Sequence, residues 1–213
     1  SVEEQVGNFI LGLEAEGYKL FPYIPNAKWK PGDQILYSGP YWDDQEPTAA
    51  ISAILTGKWL PAGENVNKFE RAFSKQFQFD HSVMVNSGSS ANLVMIAALK
   101  KYFGWKDGDE IIVCACGFPT TINPIIQNGL KPVFVDINMD DLNWDLEQVE
   151  KVITPRTVAV FSSPVLGNPY DFDKFMEIID RNSLEYIADN CDSLGSKWSC
   201  LLYTSPSPRD EQS

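Results

Sequence analysis

The residues of this chain that could do chemistry begin with a turn of small side chains, Ser-Gly-Ser-Ser, at positions 87–90. The turn follows a short apolar run at 82–85 and leads into a helical pattern. Small side chains let backbone N–H groups approach a ligand closely, and the first turn of a helix leaves those groups unpaired at the positive end of its dipole. A buried strand, a turn and a helix in this order predict a phosphate-binding seat. A helix that is merely capped by serine is the alternative that this stretch alone leaves open.

An aromatic ring and a carboxylate are expected at the same edge of the fold as this turn. Phe118 comes after the apolar run 110–115, and Asp189 comes after the run 185–188. Taken singly, Phe118 could equally be a core residue and Asp189 a helix cap. Because the carboxyl ends of parallel strands share one edge, their joint position favours a common site. A phosphate seat, an aromatic face and a carboxylate together suit a phosphorylated, protonated heteroaromatic ligand.

The elements that must position these residues alternate along the chain. Short runs rich in Val and Ile are predicted to be strands, at 82–85, 110–115, 132–135, 157–161 and 185–188. Helical patterns lie between most of them, at 91–103, 120–128, 145–153 and 171–182. Continuously apolar strands joined by helical crossovers predict an α/β fold with a mostly parallel sheet sandwiched by helices.

The first part of the chain carries weaker signals. Residues 1–17 have some helical spacing, and the segment 21–42 is rich in Pro, Gly, Tyr and Trp, which is typical of an extended arm with turns. Helices are predicted over 44–55 and over 64–77. The second of these helices places four apolar residues on one stripe, namely Val66, Phe69, Phe73 and Phe77.

Composition and charge limit the classes of partner. The chain has 213 residues, of which 44% are hydrophobic and 22% charged, enough for one substantial core. The net charge of −12 argues against nucleic acid or an anionic membrane surface as a partner, since both are bound by clustered Lys and Arg. The uncharged stretch 111–130 contains Gly, Pro, Asn and Gln, so we expect strand, loop and helix there rather than a membrane span. A cytoplasmic protein is the expectation.

Cysteine and histidine contents limit metal and nucleophile chemistry. The four cysteines, Cys114, Cys116, Cys191 and Cys200, form no dense disulfide framework. The first two are predicted to be reduced core thiols. His81 is the single histidine, which excludes a site built from several histidines. His81 itself is predicted to lie on the surface.

Several motifs in fixed order across residues 31–198 give the sequence a specific resemblance. They are the segments 86–92, 117–121, 123–124, 131–136, 166–169 and 189–196. The sequence resembles the pyridoxal-phosphate-dependent sugar aminotransferases, the fold-type-I family named after DegT, DnrJ, EryC and StrS. Within that family it is most similar to the branch of nucleotide-sugar 3-dehydratases.

The resemblance implies a set of residues that bind pyridoxal phosphate or pyridoxamine phosphate: Gly88, Ser89, Ser90, Phe118, Asp189 and Asp192. The first three would hold the phosphate, and Phe118 would stack on the pyridine ring. Asp189 would pair with the ring nitrogen and keep it protonated, so that the ring can act as an electron sink. Asp192 stands near the ring oxygen, where many aminotransferases of the family carry Gln and the dehydratases carry Asp.

Cys191 carries a further implication of the resemblance. In the iron–sulfur members of the dehydratase branch, the cysteine of Asp-Asn-Cys-Asp is the first ligand of a [2Fe-2S] cluster, and a reductase partner accompanies such enzymes. One cysteine cannot hold a cluster, so a buried thiol is the alternative for Cys191. Pro164 departs from the family pattern, because relatives often have His there.

The resemblance ends at Trp198, before the catalytic residue of the family. The Schiff-base Lys, or the His that replaces it in the dehydratases, lies further along, and Lys197 follows Asp189 too soon to be that residue. The chain is therefore expected to be a fragment without its C-terminal part. We expect an N-terminal arm at 1–43, an incomplete cofactor-binding large domain at 44–198 and an unrelated, foreign tail at 199–213.

The implied function of the intact parent is dehydration of a nucleotide-linked 4-keto-6-deoxyhexose at C3, in deoxysugar and lipopolysaccharide biosynthesis, by a homodimer. A sugar aminotransferase of the same family is the first alternative, since it shares the named cofactor contacts except for Asp192. A fragment that only folds or binds phosphate compounds is the second. The truncated chain itself is expected to be inactive.

Overall fold

The computed structural model of the chain describes residues 1–18, 20, 30–33, 43–57, 63–198 and 201–202. Its helices are α1 (Val2–Ala15), α2 (Gln45–Thr56), α3 (Glu64–Phe77), α4 (Gly88–Phe103), α5 (Pro119–Gln127), α6 (Leu146–Lys151) and α7 (Phe172–Arg181). Its strands are β1 (Glu110–Cys114), β2 (Lys131–Val135), β3 (Thr157–Ser162), β4 (Glu185–Ala188), β5 (Lys197–Trp198) and β6 (Leu201–Leu202). The chain divides into two compact units, Ser1–Lys68 and Phe69–Ser213.

The first unit is built on α1 and α2. Helix α1 begins with a capping box, in which the Ser1 hydroxyl accepts the Glu4 N–H at 3.1 Å and the Glu4 carboxylate reaches back to the Ser1 amine. The helical predictions for 1–17 and 44–55 are confirmed. The predicted extended arm at 21–42 lies mostly outside the described residues.

A four-stranded parallel sheet organises the second unit. Its strand order is β2-β1-β3-β4, and every neighbouring pair runs parallel. The predicted strands at 110–115, 132–135, 157–161 and 185–188 are confirmed, with ends that differ by one residue at most. The helices predicted between them are confirmed as α4, α5, α6 and α7.

Both faces of this sheet are covered, which explains why its strands are continuously apolar. One face packs under α6 and α7 and includes Ile112, Val135, Val149, Val160, Phe175 and Ile179. The other face packs under α4 and α5 and includes Ile96, Ile111, Val113, Ile125, Ala159 and Phe161. Successive residues of β1 and β3 alternate between the two clusters, as side chains of a strand must. The predicted sandwich of helices around the sheet is confirmed.

The order in which the chain adds strands across the sheet changes direction at β1. From β1 the chain crosses to β2 on one side, and then passes to β3 on the other side before reaching β4. Ligands of open α/β sheets bind outside the carboxyl ends of the strands at such a switch point. The segments that leave β1 and β3 therefore flank the place where a site is expected.

The opposite edge of the sheet is held by one buried carboxylate. Glu110 at the start of β1 accepts from the Lys131 ammonium at 2.9 Å and from the Thr154 hydroxyl at 2.6 Å. The Thr157 hydroxyl lies 3.5 Å from the same carboxylate. These contacts join the beginnings of β1, β2 and β3. The hydrogen bonds from Thr154 and Lys131 hold the pKa of Glu110 below its ordinary value.

The strand predicted at 82–85 is wrong. These residues form no strand, Val83 is 79% exposed and Met84 is 50% exposed. The Met84 N–H bonds to the carboxylate of Glu70 at 2.8 Å rather than to a neighbouring strand. A strand needs a ladder partner, and in the described part of the chain this segment has none.

Other predictions are corrected at single residues. Helix α3 has the predicted span, its apolar stripe is half-buried or exposed, and Phe69 and Phe73 pair with ring centroids 5.7 Å apart. Cys114 is half-buried but Cys116 is exposed, because β1 ends at Cys114, so Cys116 is not a core thiol. His81 is exposed, as predicted.

Two further findings concern the uncharged stretch and the end of the chain. Among the described residues, no helix combines the length and the apolar character that crossing a bilayer requires. Strands β5 and β6 pair antiparallel, with Lys197 opposite Leu202. The rest of the tail that we predict to be foreign, 199–200 and 203–213, lies outside the described residues.

Candidate cofactor site

The small-residue turn places a helix N-terminus at the carboxyl edge of the sheet. Ser87 caps α4, and its hydroxyl oxygen accepts the N–H of Ser90 at 3.2 Å. The serine cap that the alternative interpretation expects is therefore present. This cap uses the N–H of Ser90. The N–H groups of Gly88 and Ser89 come before the first intrahelical hydrogen bond, so the helix itself does not use them. The first turn of α4 contains no acidic residue, so nothing on this turn repels an anion.

Phe118 stands directly before α5, where it is the cap residue and Pro119 opens the helix. Its side chain is 70% exposed. The alternative that Phe118 is a core residue is therefore wrong. An exposed phenyl ring at the end of the loop after β1 offers a face to a ligand at the switch point.

Asp189 follows β4 and is held by three donors. Its Oδ2 accepts from the Asn92 amide nitrogen at 2.8 Å and from the Thr121 hydroxyl at 3.0 Å. Its Oδ1 accepts the N–H of Cys191 at 3.1 Å, and its own N–H donates to the Ser162 carbonyl at 2.8 Å. A turn at 191–195, and not a helix, comes after Asp189 in the described residues, so the helix-cap alternative is wrong.

These contacts join the regions that carry the predicted residues. Asn92 belongs to α4, and Thr121 to α5, three residues after Phe118. The Asn92 amide also donates to the Thr120 carbonyl at 3.2 Å. The phosphate seat, the phenyl ring and the carboxylate are therefore attached to three elements that meet around Asp189.

An open cleft of about 230 Å³ lies between α4 and α5. Its lining residues are Ser89, Ser90, Leu93, Thr120, Asn123, Pro124 and Gln127. Phe118 and Asp189 are not among them. The cleft therefore reaches the phosphate seat but does not enclose the whole of the predicted site.

The turn after β3 packs against the loop that carries Asp192. The Asp192 carboxylate accepts the N–H of Leu166 at 3.4 Å, and the Ser196 hydroxyl donates to the Gly167 carbonyl at 3.2 Å. Gly167 has a φ of +73°, and a Cβ there would lie 3.0 Å from the Asp192 carbonyl oxygen. A side chain at this position would be strained by the positive φ and would crowd the Asp192 carbonyl, so glycine favours this close approach of the two loops. Asp192 is exposed at the same edge of the sheet as Asp189.

Cys191 is an exposed free thiol between the two aspartates. Partial burial and the neighbouring charges of Asp189 and Asp192 raise the pKa of its thiol. In the described residues, no group of three or more His, Cys, Asp and Glu side chains is arranged to hold a metal ion.

The chemistry of this donor set fits pyridoxal phosphate. The N–H groups of Gly88 and Ser89, with the serine hydroxyls, suit a phosphate. A carboxylate can accept about four hydrogen bonds, and Asp189 receives three from the protein, so its Oδ1 can accept one more from a protonated ring nitrogen. The exposed ring of Phe118 can face an aromatic ligand.

Asn92 and Thr121 lie in two of the motifs that carry the resemblance, 86–92 and 117–121, but sequence reasoning assigned neither of them a contact with Asp189. Asn is a poor residue for a helix interior, because its side chain competes for backbone hydrogen bonds. An Asn one turn after the beginning of α4 was therefore the available signal. Thr121 gave no comparable signal, since a hydroxyl in the first turn of a helix is common.

Comparison with known proteins identifies relatives of this chain. Over 157 residues it is 43% identical to the GDP-4-keto-6-deoxy-D-mannose 3-dehydratase of Escherichia coli O55:H7, covering 73% of this chain and 40% of that enzyme. The structure of the E. coli enzyme with bound hydrated PLP has a TM-score of 0.71 at 40% identity, covering 77% of this chain and 42% of that chain. Helicobacter pylori PseC, an aminotransferase involved in the biosynthesis of pseudoaminic acid, has a TM-score of 0.72 at 28% identity, covering 80% and 45%.

The chain thus spans about 40% of the length of the curated dehydratase that it matches. The family match itself extends over residues 42–200 and so includes every predicted site residue. The solved E. coli dehydratase contains hydrated PLP, and both solved relatives share the α/β architecture of this chain. The chain belongs to the DegT/DnrJ/EryC1/StrS aminotransferase family.

Proposed function

We propose that this chain is the cofactor-binding part of an enzyme that removes the C3 hydroxyl from a nucleotide-linked 4-keto-6-deoxyhexose. One observation carries the proposal: α4, α5 and the end of β4 meet at Asp189 through Asn92 and Thr121. The 43% identity to a GDP-4-keto-6-deoxy-D-mannose 3-dehydratase supports this choice of reaction. The pathway would be deoxysugar and lipopolysaccharide biosynthesis, in the cytoplasm.

The phosphate of the cofactor would be bound at the beginning of α4. Gly88 and Ser89 would donate their backbone N–H groups, and Ser89 and Ser90 their hydroxyls. A helix N-terminus holds an anion through oriented N–H groups, so the site can work although the whole chain carries a net charge of −12.

The ring of the cofactor would lie between Phe118 and the two aspartates. When bound, pyridoxal phosphate supplies an electron sink for charge that develops next to the substrate carbon. Asp189 would hold the proton on the ring nitrogen, Phe118 would cover one ring face, and Asp192 would lie near the ring oxygen.

The residue that removes a proton from the bound cofactor while the C3 hydroxyl leaves would belong to the part of the intact protein outside this chain. A Schiff-base Lys, or a His in its place, is what the family resemblance requires. We also propose that the intact protein is a homodimer, and that residues 44–198 belong to its large domain, after an arm at 1–43.

The product formed by the intact protein tests the proposed reaction. Incubated with a nucleotide-linked 4-keto-6-deoxyhexose, pyridoxamine phosphate and glutamate, it should release a 3-deoxy-4-keto sugar, identified by NMR. Release of an amino sugar would instead establish the aminotransferase alternative. A Lys at the Schiff-base position of the intact protein would also overturn the dehydratase assignment.

The aminotransferase alternative rests on a specific likeness. The aminotransferase PseC is structurally as similar to this chain as the dehydratase is, with TM-scores of 0.72 and 0.71. Its sequence identity of 28% is lower than the 40% of the dehydratase structure. The phosphate and ring contacts are shared by both reactions, and among the named residues only Asp192 differs between the two branches, as the resemblance implies.

Cys191 is proposed as the first ligand of a [2Fe-2S] cluster in the intact protein, which would then work with a reductase partner. Its exposure next to the proposed cofactor site supports this role, and the other ligands would have to come from outside the described residues. Iron and sulfide analysis of the intact protein and its Cys191→Ser variant tests it. Absence of iron from the anaerobically purified wild type would leave Cys191 as a thiol only.

A further inference from the structure

Asn92 is a buried polar side chain whose amide orientation is fixed by its partners. It is 5% exposed, and its amide nitrogen donates to the Thr120 carbonyl at 3.2 Å and to Asp189 Oδ2 at 2.8 Å. A carbonyl oxygen and an ionised carboxylate only accept hydrogen bonds. The nitrogen, and not the amide oxygen, must therefore face Asp189.

The donors of Asp189 are distributed unequally between its two oxygens. Oδ2 accepts from Asn92 and from the Thr121 hydroxyl at 3.0 Å, and Thr121 is only 4% exposed. Oδ1 accepts one bond, from the N–H of Cys191. Since a carboxylate oxygen has two lone pairs, Oδ2 is saturated and Oδ1 keeps one acceptor position.

We propose that Asn92 and Thr121 are positioning residues that saturate Oδ2 of Asp189 and thereby reserve Oδ1 for the protonated ring nitrogen of the cofactor. This inference rests on the proposed function, because it needs an aromatic ligand with a ring N–H. Neither residue touches the cofactor in this role; both act through the carboxylate.

Asn92 also links the two ends of the proposed cofactor site. It lies four residues after Gly88 in α4, on the same face and one turn away. Its bond to Asp189 therefore fixes the acid relative to the N–H groups that would hold the phosphate. A change at Asn92 should disturb recognition of the ring nitrogen while the beginning of α4 stays intact.

The test uses the 213-residue chain and two ligands that differ at one ring atom. Pyridoxal phosphate has the ring nitrogen, whereas its 1-deaza analogue carries a C–H group there and keeps the phosphate. Dissociation constants of both come from absorbance titrations at neutral pH. We expect the wild-type chain to prefer pyridoxal phosphate by about tenfold or more, as for a charge-assisted hydrogen bond.

Asn92→Ala and Thr121→Val should bring this preference towards unity while the analogue binds as tightly as to the wild type. Thr121→Ser keeps the hydroxyl and should keep the preference. The Thr121 pair is nearly isosteric, so it remains informative if Asn92→Ala does not fold. Thermal unfolding of each variant verifies that the compared chains are folded.

Two results would overturn this inference without contradicting the proposed function. One is an equal loss of affinity for both ligands in the variants, which would mean a purely structural role. The other is a wild-type chain that binds both ligands equally well, so that Oδ1 does not select a ring N–H. If the folded wild type binds neither ligand, the proposed function fails and this inference falls with it.

Discussion

Phe118 is a large apolar side chain that the described core does not use. It is 70% exposed at the end of the loop after β1. Exposed apolar residues occur singly on most proteins, so exposure alone does not assign a role. Its place beside the switch point, two residues before Thr120, makes it the side chain best situated to cover a ring held by Asp189.

Phe118→Leu should weaken binding of pyridoxal phosphate about fivefold, because an aromatic pair contributes about 1 kcal/mol beyond burial. The free energy of unfolding should change by less than about 0.5 kcal/mol, since the side chain is exposed. Absorbance titration and urea denaturation measure the two quantities. Phe103→Leu, at the far end of α4, is the control and should leave the affinity unchanged. An unchanged affinity in Phe118→Leu would remove this residue from the site.

The Cys191 thiol should react slowly at neutral pH. Burial first, and then the charges of Asp189 and Asp192, raise its pKa, so the reactive thiolate forms only at higher pH than for an ordinary cysteine. Removing one charge with Asp192→Asn should lower this pKa and speed alkylation by iodoacetamide at about pH 8. Peptide mapping of the labelled chain measures the rate at Cys191, and Cys191→Ser verifies the assignment. Equal rates in wild type and Asp192→Asn would contradict the charge effect.

At the scale of elements, Glu110 ties the beginnings of three strands with its buried carboxylate. Its pKa lies below the ordinary value in the folded chain, so the carboxylate stabilises the fold above the unfolded-state pKa. This stabilisation is lost as pH falls through the lowered folded-state pKa. Glu110→Gln should therefore cost about 1–3 kcal/mol at about pH 7 and progressively less in acid.

Urea denaturation at about pH 7 and then at successively lower pH measures how this difference declines as the carboxylate is protonated. Glu147→Gln is a matched control, because Glu147 is 78% exposed and its oxygen lies 3.8 Å from the Lys151 ammonium. Surface pairs of this kind contribute little, so the control should stay within about 0.5 kcal/mol of the wild type. A destabilisation of Glu110→Gln that does not depend on pH would mean that its charge is not responsible.

The elements that sequence reasoning predicted well are those whose signal is local. Strands β1 and β3 were recognisable because covered strands are continuously apolar over their own length. The segment 82–85 has the same local pattern, but it lacks a ladder partner in the described residues and is exposed. Local hydrophobicity could not reveal that difference, because strand formation depends on a neighbouring strand.

The same reasoning explains which site residues could be predicted. Motifs and strand ends placed Ser89, Phe118 and Asp189 at one edge. The contacts that hold the acid join residues 97 and 68 positions apart in the sequence. The Asn inside α4 indicates that its side chain has a polar partner, but neither Asn92 nor Thr121 reveals which residue that partner is, so the support of the site became visible only in the folded chain.

At the scale of the whole molecule, the chain contains the proposed cofactor seat but spans about 40% of the length of its curated dehydratase relative. The proposed seat depends on α4, α5 and β4, which all lie within the described residues. The proposed proton-moving residue lies elsewhere: the resemblance implies a Lys or His beyond the matched region, and the single histidine of this chain, His81, is exposed. We therefore expect this chain to bind the cofactor without catalysing the reaction.

The purified 213-residue chain should bind pyridoxal phosphate weakly and show no turnover. Incubation with a nucleotide-linked 4-keto-6-deoxyhexose and pyridoxamine phosphate, followed by chromatography of the sugar nucleotide, should return the substrate unchanged. The intact parent protein under the same conditions is the positive control. Product formation by the chain above the rate without protein would show that its own residues suffice for proton transfer, and would require a base among its 213 residues. Since catalysis by a positioned base contributes about 10²–10⁴-fold, its absence from the chain should be plain in such an assay.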